Sequence, residues 1–325
     1  MNSLKMNKKI IYGLLSFLFL LGVSCKEDSN EIVETAPYDH ESQIPIDEAK
    51  LYTYFEQHYM KETVDDMTGD FKFEILAVEN EELPEGEILL SEDPKLDSIV
   101  GIKANSTVAD YKMYYYITAE GADTSGFGSP SPIDSVYVKY TGMLLDGTVF
   151  DSKIDYPIWL QLSRTVQGWS RSLPKFKRGT FDTASDKDHI FDEQGKGFLF
   201  FPSGLGYLNF SQANVPPNAP LVFEIELDDV HLIDTDLDAV PTKYEMTIDA
   251  AGGYTFYDTD GDGFDDYSDV DDDNDQKLTK DEVAAEYPTF DARGNIEFEY
   301  DTTGMKIVSK GTTDGVPNYK LKDKK

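Results

Sequence analysis

The sequence predicts an α+β fold: an antiparallel β-sheet wrapped on a short helix, with a small α/β region before it and an acidic module after it. Three observations predict this. Val136, Val138 and Tyr140 alternate with Tyr137 and Lys139, and Phe223, Ile225 and Leu227 alternate with Glu224 and Glu226. Such period-2 runs mark strands with one buried and one wet face. Asp146-Gly147 lies between two strand-like runs, where a tight hairpin requires positive φ. Past Asp236 the chain turns rich in aspartate and glycine.

Taken in order, Lys5, Lys8 and Lys9 precede an apolar run, Ile10–Val23. That run is short for a membrane span and suits a signal peptide over 1–24. It ends Leu21-Gly22-Val23-Ser24-Cys25, and Cys25 is the only cysteine, so no internal disulfide can form. Residues 25–45 read as a flexible polar tether. The 46–109 region reads as a separate small unit. Ile46, Leu51, Phe55, His58 and Tyr59 recur at helical spacing after Pro45, which predicts a helix near Asp47–Lys61 with His58 on its surface. Phe71–Val78 reads as a strand and Glu79–Glu87 as an acidic loop. Tyr111–Thr118 is expected as the first strand of the main sheet, in a domain spanning 110–235. Pro216-Pro217 rules out a helix just before Leu221. Pro174 limits a helix after Trp169 to a turn or two.

Four segments then stand in register: Val136–Ser152, Val166-Gln167-Gly168-Trp169, Phe201–Tyr207 and Val215–Leu227. Together they closely resemble the FKBP family of peptidyl-prolyl cis-trans isomerases. The resemblance implies a pocket of Tyr140, Phe150, Asp151, Val166, Trp169, Tyr207 and Phe223. By it, Trp169 is the floor and Tyr140, Phe150 and Phe223 are walls. The Val166 N–H and the Tyr207 hydroxyl would hold substrate carbonyls, Asp151 would sit by the twisted amide, and Val215 would close the rim. The wall position after Pro157 holds Ile158 with Trp159 next, and either residue is free to point inward. An insertion between Gly179 and Leu199 is expected to cap or narrow the pocket. The chemistry implied is rotation about X-Pro bonds, against a barrier of about 18–20 kcal/mol. No bond breaks, so no cofactor is expected for catalysis. A dry aromatic bowl and fixed hydrogen-bond donors suffice to favour the twisted amide.

The acidic module is expected over 254–286. Asp258, Asp260 and Asp262 take the first, third and fifth places of a twelve-residue oxygen-ligand loop, the Phe264 carbonyl the seventh, and Asp266 and Asp269 the ninth and twelfth. A second loop has Asp271, Asp273 and Asp275, the Lys277 carbonyl, Thr279 and Glu282. Gly263 stands at the sixth place of the first loop, and Gln276 at that of the second, where positive φ would strain it. The pair resembles thrombospondin type 3 calcium repeats, which implies structural Ca²⁺. The tail, 287–325, has β-like pieces near Asn295–Tyr300 and no assigned role.

A net charge of −33, or −36 without the three signal-peptide lysines, argues against nucleic acid and against docking to anionic lipid by charge. The residues up to Cys25 resemble a bacterial lipobox, and Lys26-Glu27-Asp28 resemble a surface-export signal. Both imply a lipid on Cys25 as membrane anchor and a place at the outer membrane of the cell envelope. The expectation is an isomerase acting on proline-containing polypeptides. The alternatives are a non-catalytic chaperone or scaffold of a surface machine such as gliding motility, and a calcium-dependent adhesion protein.

Overall fold

The computed structural model describes residues 37–286, apart from 65–70, 81, 105–108, 123–128, 182–190 and 213, and strand pieces at 299–300, 306–307, 312–313 and 316–317. Cys25, the signal segment, most of the tether and most of the tail therefore lie outside the described residues. The chain opens with α1 (His40–Gln57) and the hairpin β1 (His58–Val64) and β2 (Phe71–Ala77). The strands β3 (Leu96–Lys103), β4 (Asp110–Ala119), β5 (Ser135–Leu144) and β6 (Val149–Gln161) follow, then α2 (Gln167–Ser172). A two-residue pair, β7 (Thr180–Phe181) with β8 (Phe191–Asp192), precedes β9 (Gly195–Phe201) and β10 (Leu221–His231). Six of these strands form one sheet in the order β3-β4-β9-β10-β5-β6, every pair antiparallel.

Two apolar clusters cover the two faces of the sheet. Phe223, Ile225 and Leu227 of β10 bury on the face that holds α2, with Trp169, Leu173 and Phe201. Val222 of the same strand buries on the other face with Phe198 and Phe200, beneath Leu51 and Phe55 of α1. The alternation in β10 is therefore as predicted, but the face expected to be wet is partly covered. Glu224 stays exposed there and Glu226 pairs with Lys139 at 2.7 Å and Lys196 at 3.0 Å. The Asp146-Gly147 turn forms as expected, with Gly147 at φ +83°.

The N-terminal part departs from the sequence reading. The 46–109 region does not stand apart, because its β3 joins the main sheet and Leu51 and Phe55 of α1 pack on that sheet's Phe198, Phe200 and Val222. One edge of the main sheet is β3, upstream of the expected first strand. Helix α1 begins at His40, inside the expected tether, and carries Pro45 internally. Asp39 caps it by accepting from the Ser42 N–H at 3.1 Å. Tertiary bonds fix this early start: Tyr38 meets the Ser203 hydroxyl at 2.7 Å and His40 meets the Tyr111 hydroxyl. The helix ends at Gln57, so His58 is not on a helix surface. It opens β1, with its ring stacked on Tyr54 at 3.8 Å.

The deepest polar contact between α1 and the sheet domain is Asp47. It is fully buried, and its Oδ2 accepts from the Ser203 N–H at 2.8 Å and from the Ser203 hydroxyl. Its Oδ1 accepts from Gln43 at 2.7 Å. A buried carboxylate is tolerated when its lone pairs are satisfied in this way. Asp47→Ala leaves the buried Ser203 donors without their acceptor and is expected to cost about 3 kcal/mol. Urea unfolding followed by circular dichroism checks this. A loss below about 1 kcal/mol would mean that α1 is held by its apolar contacts alone.

Candidate active site

The site is built around one ring. Phe223 projects from β10 and touches four others: Trp169 at 5.3 Å and 88°, Phe150 at 5.5 Å and 89°, Tyr140 at 6.2 Å and 56°, and Phe201 stacked at 5.6 Å and 14°. Trp169 also meets Tyr140 edge-on at 5.2 Å and 89°. These edge-to-face contacts lock the rings in place. Two glycines permit the approach. A Cβ on Gly142 would lie 2.7 Å from the Phe150 ring and 2.8 Å from Phe223, and a Cβ on Gly168 would lie 2.5 Å from Phe201. Neither position accepts a side chain without moving an aromatic wall.

Helix α2 presents Trp169. Val166 is its N-cap residue, and its carbonyl accepts from the Trp169 N–H at 3.0 Å. The N–H of an N-cap has no acceptor within the helix. The helix covers Gln167–Ser172 and passes into a 3₁₀ turn at Leu173–Lys175, so Trp169 sits within it rather than before it.

Above the rings lies a cavity of about 200 Å³. Tyr140, Asp151, Val166, Trp169, Tyr207 and Phe223 line it, six of the seven expected pocket residues. Phe150 is not in the lining; it packs behind, against Phe223 and against Tyr207 at 6.3 Å. Ile158 and Val215 are also absent from the lining. Ile158 packs on the core beside Val138, and Val215 is buried within the core at 2 % exposure. Trp159 points away, half-exposed and stacked on Tyr137 at 5.0 Å. Leu160, Arg164 and Thr165 complete the lining and were missed. Leu160 was within reach of the sequence, since it lies two residues beyond Ile158 on the same strand face. Arg164 and Thr165 lie in the turn between β6 and α2, which carries no periodic signal.

Two polar groups define the rim. The Tyr140 hydroxyl donates to Asp151 Oδ2 at 2.6 Å. Burial, and then the Asp151 carboxylate, push the Tyr140 hydroxyl far above the ordinary tyrosine range. The Tyr207 hydroxyl is likewise raised, first by burial and then by Asp151. Both therefore stay protonated near neutral pH, and Tyr207 keeps its O–H as a donor. The insertion is rooted elsewhere. Gly179 N–H bonds the Asp228 carbonyl at 3.2 Å and Arg178 pairs with Asp229 at 3.0 Å, about 17 Å along β10 from Phe223. Residues 182–190 of the insertion lie outside the described residues.

The acidic module follows the short hairpin β11 (Met246–Ile248) and β12 (Tyr254–Phe256), and ends in α3 (Thr279–Glu286). Asp258, Asp260 and Asp262 bring carboxylate oxygens within 4.8 Å of one another, and so do Asp271, Asp273 and Asp275. The sixth places turn as required: Gly263 has φ +98° and Gln276 φ +75°. The strain expected at Gln276 is therefore present. Two expected ligands serve otherwise. Both oxygens of Asp266 are taken by Thr259, from its N–H and its hydroxyl at 2.7 Å each. Thr279 Oγ1 accepts from the Asp272 N–H at 3.0 Å. These ninth-place side chains brace the loop from within. Burial and then Asp262 and Asp260 raise the Asp269 carboxyl; burial raises that of Glu282, with Lys277 opposing and Asp273 and Asp275 adding to the rise. The donor set is all oxygen, which fits a hard cation such as Ca²⁺.

Residues 128–228 match the family model of FKBP-type peptidyl-prolyl cis-trans isomerase. The chain is 30% identical over 154 residues to an FKBP-type peptidyl-prolyl cis-trans isomerase FkpA of Aeromonas hydrophila, covering 46% of this chain and 47% of that one. It is 30% identical over 146 residues to an FKBP-type 22 kDa isomerase of Escherichia coli K12, covering 44% and 58%. The chain spans about half the length of the curated relatives it matches. The crystal structure of FkpA from Escherichia coli aligns at TM-score 0.35 and 22% identity, covering 70% of this chain and 75% of that one.

Proposed function

Because residues 128–228 match the family model of FKBP-type isomerases, we propose that this chain is a peptidyl-prolyl cis-trans isomerase that speeds X-Pro rotation in folding polypeptides of the cell envelope. The observation that carries the reading is the cavity floored by Trp169 and Phe223 with Tyr207 and Asp151 at its rim. A proline ring is apolar and compact, and the Trp169 floor with the Tyr140 wall edge-on to it offers a dry seat. The Tyr207 hydroxyl donates to a substrate carbonyl. Once amide resonance is broken, the substrate nitrogen regains a lone pair and the carbonyl loses its conjugation. A preorganised polar rim then favours that twisted form over either planar one. Each tenfold acceleration requires about 1.4 kcal/mol of such preference.

The anchor and the metal belong to the same reading. A lipid on Cys25 would tether the domain to the outer membrane; its support is the apolar run that ends at the only cysteine of the chain. Among the described residues no helix is long and apolar enough to cross a membrane. Ca²⁺ in the loops at 258–269 and 271–282 would stiffen the acidic module, and its support is the two carboxylate triplets.

The activity is tested on the full chain by a protease-coupled or NMR exchange assay with X-Pro peptides. Trp169→Ala is expected to lower kcat/KM by about tenfold or more while costing about 3–5 kcal/mol of stability, so the two are measured together. Tyr207→Phe is expected to lower it about fivefold, one hydrogen bond's worth. The rate should be flat between roughly pH 6 and 9, because hydroxyls raised above the ordinary tyrosine pKa stay protonated throughout. A folded protein that accelerates no X-Pro peptide would instead be a binding scaffold.

For the anchor, wild type should incorporate a fatty-acid probe and Cys25→Ser should not; equal labelling would remove lipidation from the account. For the metal, Asp258→Ala combined with Asp271→Ala should abolish the calorimetric Ca²⁺ signal of these two loops. Isomerase activity should stay within about threefold, since neither aspartate lines the cavity.

A further inference from the structure

The segment Asp234–Glu245, between β10 and β11, repeats the hydrogen-bond scheme of the acidic loops place for place. In the loop beginning at Asp258, the first aspartate accepts from the N–H of Gly261 at 2.9 Å and of Gly263 at 3.3 Å. Asp234 accepts in the same way from Leu237 at 2.8 Å and Ala239 at 3.1 Å. Asp262 takes the Phe264 N–H at 2.8 Å, and Asp238 takes the Val240 N–H at 2.7 Å. The cross-loop brace recurs too, with the Thr235 N–H donating to Thr242 Oγ1 at 3.2 Å. At the sixth place Ala239 has φ +79°. The sequence reading passed this segment over because alanine stands where glycine is expected and Leu237, Val240 and Pro241 dilute the acidic pattern.

A loop scheme alone names no ligand; burial does. Asp238 is 1 % exposed, with one oxygen committed to Val240, while its Oδ2 is buried without a hydrogen-bond partner. Asp238 belongs to two carboxylate groups at once. Its oxygens lie within 4.8 Å of those of Asp234 and Asp236, and within 4.8 Å of those of Glu245 and Asp272. Glu245 and Asp272 are 0 % and 1 % exposed. Carboxylates gathered this deeply repel one another and lose hydration, and a bound cation offsets both costs.

We propose that Asp234–Glu245 is a third divalent-cation loop, with Asp234, Asp236, Asp238 and Glu245 as carboxylate ligands and Asp272 linking it to the loop at 271–282. The all-oxygen, carboxylate-rich set suits Ca²⁺. The site rests on its own residues rather than on the reading of 258–282. Its place gives it a role. The loop starts just past the end of β10, where Ile233 N–H bonds Asp134 at 2.9 Å and Thr242 N–H bonds the Ile233 carbonyl at 2.8 Å. A cation here stiffens the joint between the sheet and the acidic module.

The test is calorimetric titration of the chelator-stripped full chain with Ca²⁺. Three ions per chain are expected, falling to two in the Asp234→Asn, Asp238→Asn double variant and to one in the Asp258→Ala, Asp271→Ala variant. A stoichiometry that the Asp234/Asp238 substitutions leave unchanged overturns the proposal, as does a wild type that binds nothing. A single ion, lost only with those two substitutions, would sink the reading of 258–282 and support this site. Should the double variant fold poorly, Tb³⁺ replaces Ca²⁺, with emission excited through the neighbouring Tyr244. That emission should persist in the Asp258→Ala, Asp271→Ala chain and vanish when Glu245→Gln is added; persistence after Glu245→Gln overturns the proposal.

Discussion

Everything in the domain is arranged around a central strand that must be buried on both faces. β10 is paired on either side, by β9 and by β5, so its backbone is fully spent and only its side chains remain to act. Phe223 goes to the pocket face and Val222 to the helix face. Burying a ring of that size contributes about 2–3 kcal/mol. It also creates the recognition surface, since Phe223 is at once core and cavity lining. Fold stability and the shape of the site therefore cannot be varied independently at this position.

The two faces communicate through polar bolts rather than through the sheet. Asp47 on α1 grips Ser203, at the start of the turn that carries Tyr207 to the rim. A helix on the far face thereby sets the position of a donor on the near one. On the near face, Arg171 of α2 donates to the Gly252 carbonyl, in the turn of the hairpin that leads into the acidic module. The helix that presents Trp169 thus leans on the segment just upstream of the acidic loops. No loop residue of that module lines the cavity.

The acidic module follows a different logic from the sheet. It has little apolar core of its own and crowds carboxylates at the centres of its loops. Its side chains satisfy backbone N–H groups within each loop, so the local shape is set by Asx-type bonds and positive-φ turns. What those bonds do not remove is the repulsion among the carboxylates. The sheet is held by burial, whereas the module is held by local hydrogen bonds around crowded carboxylates.

The sequence by itself determined the antiparallel sheet, the hairpin at Asp146-Gly147, the aromatic set around Trp169 and Phe223 and the two densest aspartate loops. Each of these is written in local periods or fixed spacings, and period and spacing survive in one dimension. Tertiary structure decided the rest. It decided that Ile158 packs on the core and Leu160 lines the cavity, because alternation puts both on one strand face and does not say which of them reaches the opening. It decided that α1 starts at His40 and ignores Pro45 as a boundary, because Tyr38, His40 and Asp47 find partners more than sixty residues away. It also decided that Asp266 and Thr279 brace their loops, and that Asp238, Glu245 and Asp272 meet in one buried group. A carboxylate's role depends on which donors and charges surround it in space, and these come from segments that no local pattern connects.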